Sequence, residues 1–418
     1  MLFVLAAHTA TAGPPPLAFP SAEGCDGRAV DVAMVGDLMQ HGEQLKASQR
    51  GDGTTTWQGV FDAVAPMLRG ADLTIGNLET PIDSSQPYGG FPFFNAPESM
   101  LVALRDAGFD VLQTANNHCL DKGRRGALAT LEAVRGHGFG TAGTWKSAEE
   151  RGEPWVLRDL PGDIRVAFLA NTYGTNGQPM PEGEPWLVNW LDAGQMQHDI
   201  ARAREHADIV IVGLHWGGEY KHAPTAEQRA TAKSLVEAGA DIVMGTHPHV
   251  LQPAEVVTVQ DPGGHVRDGV VLYSLGNFVS NQRTFPRDGG VVARVTLQRC
   301  GQDVRATDAR FTPVWVDDRV EGAASKAFRV VPVPPEGAVC GAGDLNALDC
   351  ERAAAFREHA ATLLPAAQFD WRAGDVGVLA WRPLEPWPTG LRAPPPDPVV
   401  PVVTVWPPPA LARTQADP

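Results

Sequence analysis

Six short apolar runs in this chain each end on side chains that can hold a metal or move a proton. Val30–Val35 is followed by Gly36-Asp37, and Asp72–Ile75 by Gly76-Asn77-Leu78-Glu79. Phe109–Gln113 leads to Asn116-Asn117-His118 and then to Asp121-Lys122-Gly123. Ile209–Leu214 ends at His215-Trp216-Gly217-Gly218-Glu219-Tyr220, Ile242–Met244 at Gly245-Thr246-His247-Pro248-His249, and Val270–Leu275 at Gly276-Asn277-Phe278. Neutral imidazole, amide oxygen and carboxylate are the donors suited to zinc, manganese or iron, and a His-x-His pair can clamp an ion from one turn. Each signal alone is weak, because a single Asp after a strand usually caps a turn or helix. Their recurrence at successive strand ends is what points to a site.

The elements that must position these residues are legible from the pattern. From residue 29 to about 316, apolar runs (Val166–Ala170 is another) alternate with helical stretches. Trp57, Val60, Phe61, Val64, Met67 and Leu68 recur at helical spacing, and 123–136, 192–206 and 225–238 read as further helices. Val291–Gln298 and Phe311–Val316 alternate like antiparallel strands. Such alternation builds an α/β layered fold around a largely central sheet. Ligands bind such sheets beyond the carboxyl ends of the strands, so all six polar ends belong to one rim.

Composition narrows the functions. With 34 Lys+Arg against 49 Asp+Glu, the net charge of −15 disfavours phosphate backbones and anionic lipid, so nucleic acid is not an expected partner. A 43% hydrophobic content is that of a globular chain. No apolar run is long enough to span a membrane. Residues 1–27 read as a signal-like leader and linker: Met-Leu-Phe-Val-Leu-Ala-Ala ends in the small residues Ala10-Thr11-Ala12, which implies an exported protein, periplasmic or extracellular and soluble. Of the five cysteines, Cys340 and Cys350 close a short loop, Cys25 and Cys300 could also meet, and Cys119 is left over. Residues 28–320 form the main domain, 321–392 a C-terminal extension with a helical run near 345–363, and 393–418 a tail with nine prolines.

Together the quoted motifs, with Gln252 and Ser274-Leu275 beside the last two, resemble the CapA family of capsule and poly-γ-glutamate biosynthesis proteins, relatives of the metallophosphatases. The resemblance covers residues 31–280 in the family's order. It implies the four-layer α/β/β/α sandwich of the calcineurin-like metallophosphoesterase type and a divalent cofactor, one or two ions of manganese, iron or zinc. The ligands it implies are Asp37, Glu79 as the bridging carboxylate, Asn117, His215, His247 and His249. His118 resembles the general acid, in a motif with Asp121. Glu219 either orients a ligand histidine or binds substrate. The phosphatases carry a His two residues after the first Asp, where this chain has Met39; His41 is the alternative and reads as a surface residue. Their bridging Asp is here the longer Glu79.

Asn77, Asn116, Lys122, Arg124 and Asn277 are read as substrate-binding. Lys122, Arg124 and Arg125 oppose the dipole at a helix start, so helix stability explains them poorly; contact with an anionic substrate is one explanation and a solvated basic face the other, favoured one. Tyr173 and Asn176 could line the cleft, whereas Phe91, Phe93 and Phe94 read as core. Two functions are compatible with this set. One is a metal-dependent hydrolase acting on a phosphoester or γ-glutamyl amide. The other is a non-catalytic component for assembly or export of an anionic extracellular polymer, working with capsule-synthesis membrane proteins.

Overall fold

Two sheets pack face to face in the computed structural model, which describes residues 13–22, 24, 25, 27–260, 263–318, 327–333 and 347–370. The first sheet runs, in spatial order, β14 (Arg329–Pro332), β13 (Asp303–Asp317), β12 (Gly289–Cys300), β1 (Val30–Leu38), β2 (Leu73–Leu78), β3 (Val111–Gln113) and β4 (Gly140–Ala142). A short strand, β11 (Asn277–Val279), pairs with β1 beyond this row. The second runs β5 (Val156–Leu160), β6 (Ile164–Thr172), β7 (Ile209–His215), β8 (Ile242–Thr246), β10 (Val266–Leu272) and β9 (Ala254–Gln260). Strands β1 to β4 are parallel, as are β6, β7, β8 and β10, while β12 to β14 and the edges β5 and β9 are antiparallel.

Alternation along each strand decides what fills the layers. On β1, Val30, Val32 and Met34 enter the core between the sheets, and Ala33, Val35 and Leu38 face outward. On β7, Ile209 and Ile211 point inward, and Val210, Val212 and Leu214 outward. The outer face of the first sheet is covered by helices Ala65–Arg69, Ser99–Ala107 and Gly123–Gly136. That of the second is covered by Ala193–Arg204 and Ala226–Ala238. The result is the expected four-layer α/β/β/α sandwich. Local chemistry starts the last two helices: Asp192 accepts from Gln195 N–H, and Thr225 forms a capping box with Gln228.

Several elements differ from the pattern. The helical spacing of Trp57 to Leu68 belongs mostly to successive turns, because Gly59 at φ 87° leaves the right-handed path. Only Ala65–Arg69 is α-helical there, beginning beside Pro66, whose missing N–H costs nothing in a first turn. Trp57, Phe61, Val64, Met67 and Leu68 are buried all the same. Beyond residue 320, β14 extends the first sheet, and helix Ala347–Leu363 puts Ala353, Phe356 and Ala360 into the core between the sheets. Phe91 and Phe93 are exposed rather than core, whereas Phe94 is buried.

A disulfide joins Cys25 to Cys300 at the end of β12. Cys119 is a buried thiol, which burial pushes up to about 12. Residues 1–12 of the expected leader, Cys340 and the proline-rich segment 393–418 lie outside the described residues. Among the described residues, no helix is long and apolar enough to cross a membrane.

Gly36 is one of the tightest points of this scaffold beside the rim, since a Cβ there would overlap the carbonyl oxygen of Gly276. Gly36→Ala should therefore destabilise the fold by about 3 kcal/mol, the upper end for overpacking, because backbone cannot rotate away. Urea unfolding would read this as a lower midpoint at unchanged slope.

Candidate metal centre

Parallel strands from both sheets end at one place, and their side chains form two overlapping groups. Glu79, His215 and His247 offer ligand atoms all within 4.8 Å of one another, as do Asp37, Glu79 and His249, and all five residues are buried. Glu79 Oε1 is common to the two. It lies 3.6 Å from His215 Nε2 and 3.7 Å from His249 Nε2, and it has no hydrogen-bond partner. His247 Nδ1 is buried without a partner too. Asn117 Oδ1 is 3.0 Å from His215 Nε2, on the same side.

Neighbours fix the orientation of each ligand. His215 Nδ1 lies 3.0 Å from Thr246 Oγ1 and 3.3 Å from Asn77 Nδ2. Asn77 Nδ2 also donates to Asp37 Oδ1 at 2.8 Å. His249 Nδ1 sits between Asp37 Oδ2 at 2.9 Å and Asn277 Oδ1 at 3.1 Å. The turn carrying both histidines is strained, with φ 97° at His247 and 57° at His249, a region that side-chain-bearing residues rarely adopt.

Electrostatics make the pocket a poor place for these groups alone. Burial raises Asp37 and Glu79 alike. For Asp37, the hydrogen bond and charge of His249 reverse this and hold it below the usual carboxylate range. Glu79 is pushed well above that range by burial and then by the negative charge of Asp37. Burial and the neighbouring imidazoles take His215 well below its ordinary value and His247 to about 3. These rings are thus held neutral, the form in which imidazole binds a metal. A divalent cation fits this donor set: it would give the orphaned Glu79 oxygen a partner and remove the repulsion between the two carboxylates.

Beside the ligands stands an imidazole–carboxylate pair. His118 Nδ1 is 2.7 Å from Asp121 Oδ2, which also accepts the Phe94 N–H at 2.7 Å. The Phe94 ring meets His118 edge-on at 4.5 Å between centroids, and Asn176 Nδ2 lies 3.4 Å from His118 Nε2. Tyr173 is exposed, its ring 4.5 Å from that of His247.

The other sequence-derived residues take supporting or peripheral places. Asn116 is buried, donating to Leu78 O at 2.8 Å and accepting the His118 N–H at 3.1 Å, so it braces the turn before His118. Asn277 Nδ2 donates to Arg287 O at 2.8 Å. Lys122 is half-buried at the position just before helix Gly123–Gly136 and makes no side-chain cap, and Arg124 is exposed and paired with Glu184. Glu219 is exposed at the rim with its carboxylate on the Tyr220 side chain. His41 is half-buried, not a surface residue. Its ring meets Phe94 at 5.2 Å, and burial and the charge of His249 push it down to about 4. It belongs to neither ligand group. The residue missed as a contributor is Thr246, whose position just before His247 is its only sequence signal.

A family model described as bacterial capsule synthesis protein PGA_cap matches residues 31–282. The capsule biosynthesis protein CapA of Bacillus anthracis is 33% identical over 261 residues, covering 60% of this chain and 60% of that protein. The PGA biosynthesis protein CapA of Bacillus subtilis (strain 168) is 31% identical over 268 residues, 63% of this chain and 67% of that one. The chain thus spans less than two thirds of the Bacillus anthracis relative. Among solved structures, the calcineurin-like phosphoesterase YfkN from Bacillus subtilis aligns over 68% of this chain and 91% of its own, at 13% identity and a TM-score of 0.38. At that score the likeness carries no argument.

The buried carboxylate pair yields a direct prediction. In chelator, Glu79→Gln should be at least as stable as the wild type, since the uncharged amide relieves Asp37. With manganese at a hundredfold excess over Kd, the wild type should gain about 2–3 kcal/mol and the variant much less. Thermal unfolding with and without the metal checks both halves.

Proposed function

Because the chain belongs to the PGA_cap family of bacterial capsule synthesis proteins, we propose that its cleft is a metal-dependent hydrolase site acting on a phosphoester or a γ-glutamyl amide of an anionic extracellular polymer. One observation carries this reading: a buried, unpaired carboxylate oxygen of Glu79 lies between two groups of neutral or acidic ligands. When bound, a divalent ion of manganese, iron or zinc would lower the pKa of a water and offset charge developing on an oxygen of the substrate. Asp37, Glu79, Asn117, His215, His247 and His249 would hold one or two such ions.

The chain's own residues supply proton transfer and positioning. Asp121 fixes the His118 ring through Nδ1, itself held by the Phe94 N–H. That leaves Nε2 to deliver a proton to the departing oxygen or nitrogen, the role of a general acid. Asn176, at hydrogen-bond distance from this ring, would steady the leaving group. Asn77 and Asn277 act through the ligands they touch, and Asn116 through the backbone of His118. Lys122 and Glu219 remain as rim residues for substrate. Export to the periplasm or cell exterior, and work alongside capsule-synthesis membrane proteins, complete the proposal.

A second reading, an assembly or export component without turnover, is favoured by Met39. This buried thioether occupies the position where the phosphatases carry a histidine. The two readings part on His118. Replacing it by Ala should lower turnover of a responsive phosphoester or γ-glutamyl amide by roughly 10²–10⁴-fold while bound metal stays unchanged. Full activity in the variant would refute the acid role, and no turnover by the wild type across both substrate classes would favour assembly.

A further inference from the structure

Of the cations that the sequence offers to an anionic substrate, Arg124 is already paired with Glu184, and Arg125 donates to Ser85 Oγ. A different guanidinium stands on the Asp37–His249 side of the cleft. Arg287 Cζ lies 3.4 Å from the centre of the Tyr220 ring, which is in turn 6.2 Å from the ring of His249. Its backbone is tied to the same ligand, because Asn277 donates to Arg287 O at 2.8 Å and its Oδ1 lies 3.1 Å from His249 Nδ1. Arg287 is half-buried, and among the described residues its guanidinium has no ion pair or hydrogen bond.

Tyr220 is placed for this contact at a cost. It adopts φ 64°, with its N–H donating to Pro248 O at 2.8 Å. A bulky residue in the left-handed region persists only where its surroundings hold it, and such positions cluster at ligand sites. A guanidinium lying flat on an aromatic face keeps the N–H donors at its edge free, and their fork matches the two oxygens of a carboxylate or phosphate. In a chain of net charge −15, a local cation offsets the overall repulsion that an anion meets.

We propose that Arg287, held on the Tyr220 ring, binds a carboxylate or phosphate oxyanion of the substrate next to the metal centre and so sets the preference for anionic substrates. The proposal rests on the functional reading above only for the identity of that centre. The test is calorimetric titration of the full chain, supplied with manganese, with inorganic phosphate and separately with a short γ-glutamate oligomer. Bound metal is measured in parallel. Arg287→Met, which keeps the apolar stem, should bind the responsive anion at least tenfold more weakly with its metal content unchanged. Arg287→Lys, a point charge without the fork, should fall between the two and decides the matter if the Met variant does not fold. The anion that responds identifies the source of the oxyanion. Equal binding by wild type and variants, or no binding of either anion by the wild type, overturns the proposal. Arg287-dependent binding without any bound metal would uphold it while refuting the metal-dependent reading.

Discussion

The repulsion between Asp37 and Glu79 is the constraint on which the rest of this cleft depends. Two carboxylates are fully buried within reach of the same imidazoles, and only one of them can be charged without help. Burial and the charge of Asp37 push Glu79 well above the usual carboxylate range, and its Oε1 is buried without a hydrogen-bond partner. Natural interiors satisfy nearly all such atoms, so an orphan at the meeting point of two ligand groups calls for a charged partner. Neutral His215 and His247 supply the rest of the donor set that such a partner needs.

Holding these groups together is a task for the backbone. All six polar ends lie at the carboxyl ends of strands with a parallel neighbour, Asp37 and His215 still within β1 and β7, and the backbone there must approach closely for the side chains to meet. Gly36 runs against Gly276, and Gly245 against the carbonyl of Tyr273, at contacts that leave no room for a Cβ. The positive φ values at His247 and His249 are a second local cost, accepted where the two rings must face different ligands from one turn. Neither feature improves packing, which the apolar layers on both faces of each sheet provide. Stability and chemistry are therefore separated along each strand, with alternating apolar residues in the body and polar ones at or just past the end.

That separation explains how much of the molecule is legible in the sequence. Buried parallel strands read as apolar runs, and the residues after each run lie at the rim, at the strand's last residues or in the loop beyond; Asp37, Glu79, His215, His247 and His249 can be found that way. Helices with clear boundaries, such as Gly123–Gly136 and Ala226–Ala238, are legible too. Helix Ser99–Ala107 escapes such a reading, although Met100, Leu101, Leu104 and Ala107 are all buried along it. The short strands β4 and β11 are too brief for any period to show. The turns around Gly59 imitate a helix because burial, not hydrogen bonding, sets apolar spacing. Contacts that depend on a specific distance are beyond reach: the edge of Phe94 on His118, the hydroxyl of Thr246 on His215, and the stack of Arg287 on Tyr220. His41 illustrates the same limit, since its place beside Phe94 depends on a helix start that spacing does not reveal.

The central claim is that the two ligand groups around Glu79 hold metal, and stoichiometry tests it most directly. Plasma mass spectrometry of the purified chain, wild type beside His249→Ala, should find one or two equivalents of manganese, iron or zinc in the wild type and a loss in the variant. Metal absent from both proteins after supplementation, or retained in full by the variant, would contradict it.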